Sequence, residues 1–509
     1  MSEEIELKLT LAPAALQRLS THPDFQRLPI TGRKTSRLRA TYFDTPDRTL
    51  RDAGIALRIR RDGEAAVQTI KSARAQGGLL SERDEWENPV EGGKLDFAQA
   101  EGTALAPFVA DAAQRAALKP VFAVDVDREA VTIAYNQSII EAALDHGRVK
   151  AGRRGRRFAE LELELKSGQS ADLFSLASAI AAIVTVRPSS LTKAERGYDL
   201  IDEREPEVTK SKPVHIAAGT SAGEAFRIIA RSCLTQYLAN EAVLRRRRES
   251  GAVHQARVAL RRLRAAISVF KTVVDDRERA FISGELRWMA SRLGDARDID
   301  VYIENVLVPG QEEHAGDPAF AELIDTYDAK RERAYNIAQR TLSSRRLAQA
   351  LVAALAWIEA GEWTRADASK IRKRREQSIE KFAGKQLGKR RDKIILSAQD
   401  IVALSPEDRH EVRIELKKLR YSAEFFAALF DDSRARKLLK EEVSAMSKLQ
   451  DLLGELNDIA VAREREAVSE AEETLREEHA SHEQELLEKA EKVFETFKQT
   501  KPFWNGDDS

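Results

Sequence analysis

Alternation opens the chain. In Glu4-Ile5-Glu6-Leu7-Lys8-Leu9 charged side chains take every second position and apolar ones the positions between. That is the period-two pattern of a strand with one charged and one apolar face. Residues 12–28 then read as a short helix carrying Leu16, Leu19 and Phe25. Tyr42 and Phe43 favour a strand, which Thr45-Pro46-Asp47 ends with a turn. Residues 54–60 repeat the opening alternation and put Arg58 and Arg60 on one face, and Asp62-Gly63 is a hairpin signal leading into residues 66–71. The pattern continues through residues 81–86, and Glu160, Glu162 and Glu164 alternate with leucines in a second acidic strand. Short strands of this kind, separated by turns, predict a closed antiparallel barrel whose charged faces line the inside.

Residues 202–220 carry Pro206, Pro213 and Gly219 among polar residues, a linker composition. From about 221 the alternation gives way to long helical periods rich in Ala, Leu, Arg and Glu, which predicts an all-α region. It contains a repeat. His254, Arg257, Leu260, Arg261, Arg262, Leu263 and Arg264 return as His410, Arg413, Leu416, Lys417, Lys418, Leu419 and Arg420. Leu293-Gly294 and Asp298 return as Leu453-Gly454 and Asp458, while Arg297 becomes Asn457 and Asp300 becomes Ala460. Duplicated units in the same order predict two helical bundles related by pseudo-twofold symmetry. At about 100° per residue, offsets 0, 3, 7 and 10 from each histidine fall within a sector of roughly 80°. His254, Arg257, Arg261 and Arg264 therefore form one basic ridge, and His410, Arg413, Lys417 and Arg420 a second. The four leucines fall on the adjoining face, where they dock into the bundle. The fold class expected is thus an α+β N-terminal antiparallel β-barrel followed by an all-α C-terminal domain of two pseudo-symmetric bundles.

Composition narrows the function. The 509 residues call for two or three domains. Acidic and basic residues balance at 83 each, and both sides of residue 205 are neutral to within one charge. A globally basic nucleic-acid binder is excluded, so any polyanion site has to be local. Residues 241–297 supply such a patch, with 14 basic and 7 acidic residues, Arg245–Arg248 among them. Residues 461–509 reverse the ratio, with 7 basic and 14 acidic, which keeps the tail off a polyanion. The single Cys233 excludes an intramolecular disulfide. No apolar run reaches 18 residues, and the opening strand has no secretory pattern, so a cytoplasmic protein is expected.

The barrel's charges suggest their own chemistry. Paired carboxylates such as Glu4 and Glu6 suit a hard divalent cation, and Lys8 beside them suits a phosphate. An enclosed charged interior is tolerable only when its charges neutralise each other or a ligand. Arg58, Arg60, Lys71 and Arg83 would supply cations for a polyphosphate, with arginine forks gripping its oxygens in pairs. In order, the motifs are Glu4-x-Glu6-x-Lys8, Tyr42–Asp47, Leu57–Arg60, Thr69–Lys71, Leu144-Asp145-x-Gly147, Glu160–Glu164 and Ser190-x-x-Lys193-x-x-Arg196-Gly197-Tyr198. This succession, over residues 3–200, resembles the CYTH family of triphosphate tunnel metalloenzymes. The resemblance implies an eight-stranded tunnel that cleaves a terminal phosphoryl group from a triphosphate with Mg²⁺ or Mn²⁺. Glu4 and Glu6 would hold the metal with members of Glu160, Glu162 and Glu164, whose shared face leaves open which of the three take part. Lys8, Arg58, Arg60, Lys71, Arg83, Arg128 and Lys193 would handle the phosphates. Arg153, Arg154, Arg156 and Arg157 read as a solvated basic hinge before the acidic strand.

The duplicated half resembles the CHAD domain (conserved histidine α-helical domain) over about residues 220–500, which implies binding of inorganic polyphosphate. The residues expected to carry it are Arg247, His254, Arg257, Arg261, Arg262, Arg264, His410, Arg413, Lys417, Lys418 and Arg420. The histidines are expected to hydrogen-bond phosphate, partly protonated when surrounded by anions. The division expected is a tunnel domain at 1–203, a linker at 204–220 and a helical domain at 221–500, with halves at about 221–365 and 366–500. Expected partners are inorganic triphosphate, hydrolysed to diphosphate and phosphate, and long-chain polyphosphate, with no membrane and no nucleic acid. A homodimer and an association with polyphosphate granules are left open. Competing readings are a triphosphatase for thiamine or nucleoside triphosphates, an adenylate cyclase, and a catalytically weak polyphosphate-binding scaffold. The intact acidic strands argue against a dead barrel.

Overall fold

The computed structural model describes residues 2–73, 80–463 and 469–504, the side chains of 2–4, 73, 80–83 and 462 excepted. The chain divides into two compact units, residues 1–207 with 343–361, and residues 208–342 with 362–509.

Eight strands make the first unit's barrel: β1 (Ser2–Thr10), β2 (Ile30–Asp44), β3 (Ile55–Asp62), β4 (Ala65–Ala73), β5 (Leu80–Pro89), β6 (Lys119–Tyr135), β7 (Ser138–Ala151) and β8 (Arg154–Ser167). They run in the order β5-β4-β3-β2-β6-β7-β8-β1, and β1 pairs back onto β5 to close the ring. Every pair is antiparallel. Closure removes the free edges that an open sheet of this length would expose. Gly63 takes a φ of 63° in the β3–β4 turn, as the Asp62-Gly63 signal predicts.

The apolar faces of β1 and β8, with Leu7, Leu9, Leu161 and Leu163, are fully buried. Helices α1 (Pro13–Thr21) and α2 (Ser170–Ile183) pack on this part of the barrel and bury Leu16, Leu19, Leu173 and Leu176. The opposite, charged face has nowhere to go but the interior. A helix at Arg345–Ala360 packs against α2 and is counted with the barrel, although the sequence division puts it in the first helical half. It buries Leu347, Leu351, Leu355 and Ile358. The arginines at 153–157 form no hinge. Gly152, at φ 56°, turns β7 into β8, and Arg154 and Arg156, on β8, pair with Glu203 and Glu205. A further helix, α3 (Lys193–Ile201), follows α2.

The second unit is helical. Its elements include α4 (Ala222–Leu244), α5 (Ser250–Val269), α6 (Arg279–Arg292), α7 (Gly294–Tyr302), α8 (Ile379–Ser397), α9 (Pro406–Phe426) and α10 (Ser433–Arg463). The duplication is visible at its root. Ser221 and Ser378 form an antiparallel bridge, with Ala222 donating to the Gln377 carbonyl at 2.9 Å and Ile379 to that of Thr220 at 3.0 Å. Helices α4 and α8 thus start from one symmetric bridge, and α5 and α9 follow them in equivalent order. Leu260 and Leu263 on α5, and Leu416 and Leu419 on α9, are buried as the ridge geometry requires. The copies differ next: the first breaks between α6 and α7 at Leu293, whereas α10 runs unbroken for 31 residues. No helix among the described residues is long and apolar enough to cross a membrane.

Candidate functional sites

The barrel encloses a cavity of about 770 Å³. Strand register decides what lines it. Lys8 lies opposite Glu162 and Glu6 opposite Glu164, Lys71 opposite Glu85, Arg128 opposite Asp145 and Asp145 opposite Glu160. With a side-chain period of two, these charges share the inner face. Lys8 Nζ sits 3.0 Å from Glu6 and 3.2 Å from Glu162. Arg128 reaches both Asp145 and Glu162 at 2.6 Å. Lys71 is 2.9 Å from Glu85, Arg60 is 2.9 Å from Glu87, and Arg58 lies 3.8 Å from both glutamates. The expected cations Lys8, Arg58, Arg60, Lys71, Arg128 and Lys193 therefore all face the cavity, each already paired with a carboxylate. Glu4 and Arg83 face each other in the β1–β5 register, but their side chains lie outside the described residues.

The acidic strand β8 sorts its three glutamates. Glu162 is central and buried, Glu160 lies deeper among Lys193 and Arg196, and Glu164 turns to Lys166 at 2.6 Å. Asp145, fully buried on β7, joins Glu160 and Glu162 in the one cluster among the described residues whose oxygens are close enough to share a cation. An all-carboxylate donor set fits a hard divalent ion such as Mg²⁺ or Mn²⁺. The cluster already holds a cation of its own: Lys193 Nζ lies 2.8, 2.5 and 2.8 Å from Asp145, Glu160 and Glu162. A capping box places it there. Thr192 Oγ1 accepts from the Glu195 amide at 3.1 Å and Glu195 accepts from the Thr192 amide at 2.7 Å, so α3 starts with Lys193 aimed inward.

Burial alone would lower the basicity of Lys193, but Asp145, Glu160 and Glu162 outweigh it and hold the ammonium well above its ordinary range. Lys8 is raised likewise, against burial, by Glu162 and Glu6. For Glu162 burial pushes the carboxyl up, and Lys193, Lys8 and Arg128 more than reverse it, leaving it well below the usual range. Cations and carboxylates thus pair throughout the tunnel wall. Asp145, Glu85 and Glu87 are the members that the sequence reading did not place in the site. The Leu144-Asp145-x-Gly147 motif and the parity of residues 85 and 87 with Arg83 were the available signals. Asp44 of the Tyr42–Asp47 motif has a different role. It accepts from the amides of Thr45, Leu50 and Arg51 and from Tyr198 Oη at 2.7 Å, tying two of the sequence motifs together away from the cavity.

In the helical unit α5 and α9 pack on each other, and the two predicted ridges meet. Burial, then Arg413, Arg261 and Arg420, push the Lys417 ammonium down to about 7, and Arg261 also lowers Arg413. Arg261 therefore bridges the two copies in one cationic cluster. Among the described residues Arg261, Arg264 and Lys417 make no hydrogen bond and no ion pair. Arg257 and Arg413 are tethered to main-chain carbonyls of α6 and α10, and Arg420 pairs with Glu424 at 2.8 Å.

One expectation needs correction. Arg262 is buried, pairs with Glu424 and lies 5.0 Å from the Phe425 ring, so it points into the core and away from the ridge. Lys418 pairs with Glu415 at 2.8 Å. His254 is held below its ordinary range by burial and by Arg297, Arg261 and Arg257, which favours the neutral ring. His410 instead meets Asn457, at 2.7 Å, so the Arg297/Asn457 difference falls directly on the two histidines. Arg247 lies 3.3 Å from Glu249.

Comparison with known proteins follows the same division. Residues 2–198 match the family model of the CYTH domain and residues 228–467 that of the CHAD domain. An inorganic triphosphatase of Haemophilus influenzae is 33% identical over 199 residues, which are 39% of this chain and 55% of that protein. The chain thus spans about half the length of this curated relative. The crystal structure of the CHAD domain from the plant Ricinus communis is 23% identical, covering 57% of this chain and 96% of that one, with a TM-score of 0.46. A Hippeastrum protein described as an adenylyl cyclase with a dominant triphosphatase activity is 18% identical, covering 38% of this chain and 95% of that one, with a TM-score of 0.30. Two family models thus match this chain in succession, that of the CYTH domain and after it that of the CHAD domain.

Proposed function

We propose that the barrel hydrolyses inorganic triphosphate to diphosphate and phosphate with a divalent cation, and that the helical unit binds inorganic polyphosphate. The observation that carries the first part is the enclosed cavity in which six cations and their carboxylates share one inner face. Phosphoryl transfer asks for charge neutralisation and alignment more than for covalent help. Arg58, Arg60, Lys71 and Arg128 would grip the phosphates, exchanging their carboxylate partners for phosphate oxygens. Lys8 and Lys193, both fixed and fully charged, would orient the terminal phosphoryl group. Glu6, Glu162 and Asp145, with Glu4 and Glu160, are the residues assigned to the metal. A bound Mg²⁺ or Mn²⁺ supplies Lewis acidity and neutralises the carboxylates whose lysine and arginine partners turn to substrate. The relative named an inorganic triphosphatase supports the same reading.

For the helical unit the supporting observation is the opposite arrangement. Arg261 and Lys417 stand half-buried in one cationic cluster, and Arg264 half-buried beside Arg287, none of the three in an ion pair among the described residues, a state that is costly unless an anion completes it. His254, Arg257, His410, Arg413 and Arg420 flank them, and both repeat halves contribute. The division into a tunnel module, a linker at 204–220 and a polyanion-binding module belongs to the same proposal. Phosphate release from triphosphate and from long-chain polyphosphate, with and without Mg²⁺ or Mn²⁺, tests the barrel. Titration with long-chain polyphosphate in EDTA tests the helical unit. Metal-independent or absent hydrolysis refutes the first part, and absent binding at low salt refutes the second.

A further inference from the structure

The two repeat copies share a feature that the cationic ridges alone do not explain. Gly294 and Gly454 occupy equivalent places after the ridges, yet neither needs glycine for its backbone, since neither has a positive φ. Inside a helix, where Gly454 stands, glycine is less favourable than alanine. Both sit under an arginine. A Cβ built on Gly294 would lie 2.8 Å from Nη1 of Arg257, and one on Gly454 would lie 2.9 Å from Nη2 of Arg413.

The surroundings repeat as well. Arg257 Nη1 donates to the carbonyl of Ala290 at 3.1 Å, four residues before Gly294. Arg413 Nε donates to the carbonyl of Gln450 at 3.4 Å, four residues before Gly454. Four residues after each glycine stands an aspartate. Asp298 lies 3.5 Å from Arg257, and Asp458 acts on Arg413 electrostatically. Carbonyl, bare glycine and aspartate thus follow one another at four-residue spacing, along α10 in the second copy and across the α6–α7 break in the first, and the guanidinium lies across them.

We infer that Gly294 and Gly454 are positioning residues of the polyanion site: their missing side chains let Arg257 and Arg413 lie across the next helix, each tethered to a main-chain carbonyl beside an aspartate, with donors left over for an anion. The inference rests on the reading of the cationic cluster as a polyanion site. A guanidinium has five N–H donors in a fixed plane, so one tether sets the direction of the rest. Alanine at either position would meet only the tip of a flexible side chain. The helix would stay and the arginine would move.

The test uses the full-length protein and long-chain polyphosphate, with binding measured at two salt concentrations and thermal midpoints recorded alongside. The Gly294→Ala/Gly454→Ala variant should keep or raise the midpoint. It should bind at least about tenfold more weakly, the scale of one lost charge-assisted contact, with a shallower salt dependence because fewer cations meet phosphate. On an Arg257→Ala/Arg413→Ala background the same glycine changes should cost nothing further, since they act through the arginines. Unchanged affinity in the glycine variant overturns the inference, as does an additional loss on the arginine-free background. A variant that binds weakly only because its midpoint has collapsed also overturns it. Failure of the wild-type protein to bind polyphosphate is a separate result, and overturns the polyanion reading and this assignment with it.

Discussion

Replacing Lys193 with methionine removes one charge from the most crowded carboxylate cluster in the tunnel while nearly conserving volume. Lys193 Nζ lies within 2.8 Å of Asp145, Glu160 and Glu162, and its side chain is 11% exposed. Removing one partner of a buried ion pair costs about 3–5 kcal/mol. Here the three carboxylates keep Arg128, Arg196 and Lys8, so the lower end, about 3 kcal/mol, is expected. For a unit of this size that is a fall of about 6–12 °C in the midpoint of its calorimetric transition in EDTA. The vacated cluster then has three carboxylates around an empty centre, the donor set of a hard cation. Mg²⁺ at about ten times its Kd would return about 1.4 kcal/mol, roughly half the loss. Scanning calorimetry of wild type and Lys193→Met, each in EDTA and in Mg²⁺, reads all four states. A variant midpoint equal to wild type in EDTA would refute the ion-pair accounting. A lowered midpoint that Mg²⁺ does not raise more than in wild type would refute the cluster's capacity for a metal.

Glu6→Gln should lower metal-dependent phosphate release from triphosphate by at least about tenfold, because it removes an anionic ligand from a hard cation; wild-type rates would remove Glu6 from the metal set. Lys417, pushed down to about 7 in the free protein, is partly neutral just above that pH and must take up a proton when a polyanion binds. Affinity for long-chain polyphosphate should therefore fall as pH rises from 6 to 8.5, and Lys417→Arg should flatten the profile, as measured by titration at fixed salt. Arg262→Met should lower the thermal midpoint, since it removes the pair with Glu424 and the guanidinium's contact with the Phe425 ring, yet leave polyphosphate affinity within about twofold; a large affinity loss at an unchanged midpoint would return Arg262 to the binding set.

The barrel was legible because strands convert sequence parity into a face. Once Glu4, Glu6 and Lys8 alternate with buried leucines, their side is fixed, and the same holds for Arg58 with Arg60 and for Glu160 with Glu162 and Glu164. Asp145 escaped because β7 does not alternate there. Ala142, Ala143, Leu144 and Asp145 are all buried, so neither face announces itself. Glu85 and Glu87 escaped for a related reason. Asp84 stands just before them on the other parity, and a run of acids on both parities has no readable inside. What resolves both cases is register, which sets Asp145 beside Glu160 and Glu85 beside Lys71. Register is a property of partner strands and is not carried by the strand itself. On helices the limit is different. The angular argument placed the ridge and its leucines, but Arg262 is buried by Tyr421, Phe425 and Glu424, all contributed by another helix.

The two candidate sites answer one physical problem in opposite ways, and the difference makes a prediction about metal. In the tunnel each described cation among Lys8, Arg58, Arg60, Lys71, Arg128 and Lys193 has a carboxylate partner. Triphosphate entering alone would have to take those cations and strand the carboxylates in a closed barrel, where unpaired charge is expensive. A divalent ion entering with it restores neutrality on both sides, so metal and triphosphate should each tighten the other's binding by the same factor. In the helical cluster no such exchange is needed. Arg261, Arg264 and Lys417 have no acid to release, and polyphosphate adds charge of the sign that is missing. Polyphosphate affinity of the helical unit should therefore be indifferent to EDTA, while triphosphate affinity of the tunnel should drop steeply in it. Calorimetric titration of the full chain with each ligand, with and without chelator, separates the two. Equal dependence on metal at both sites would mean that pairing in the free protein does not govern what each site requires.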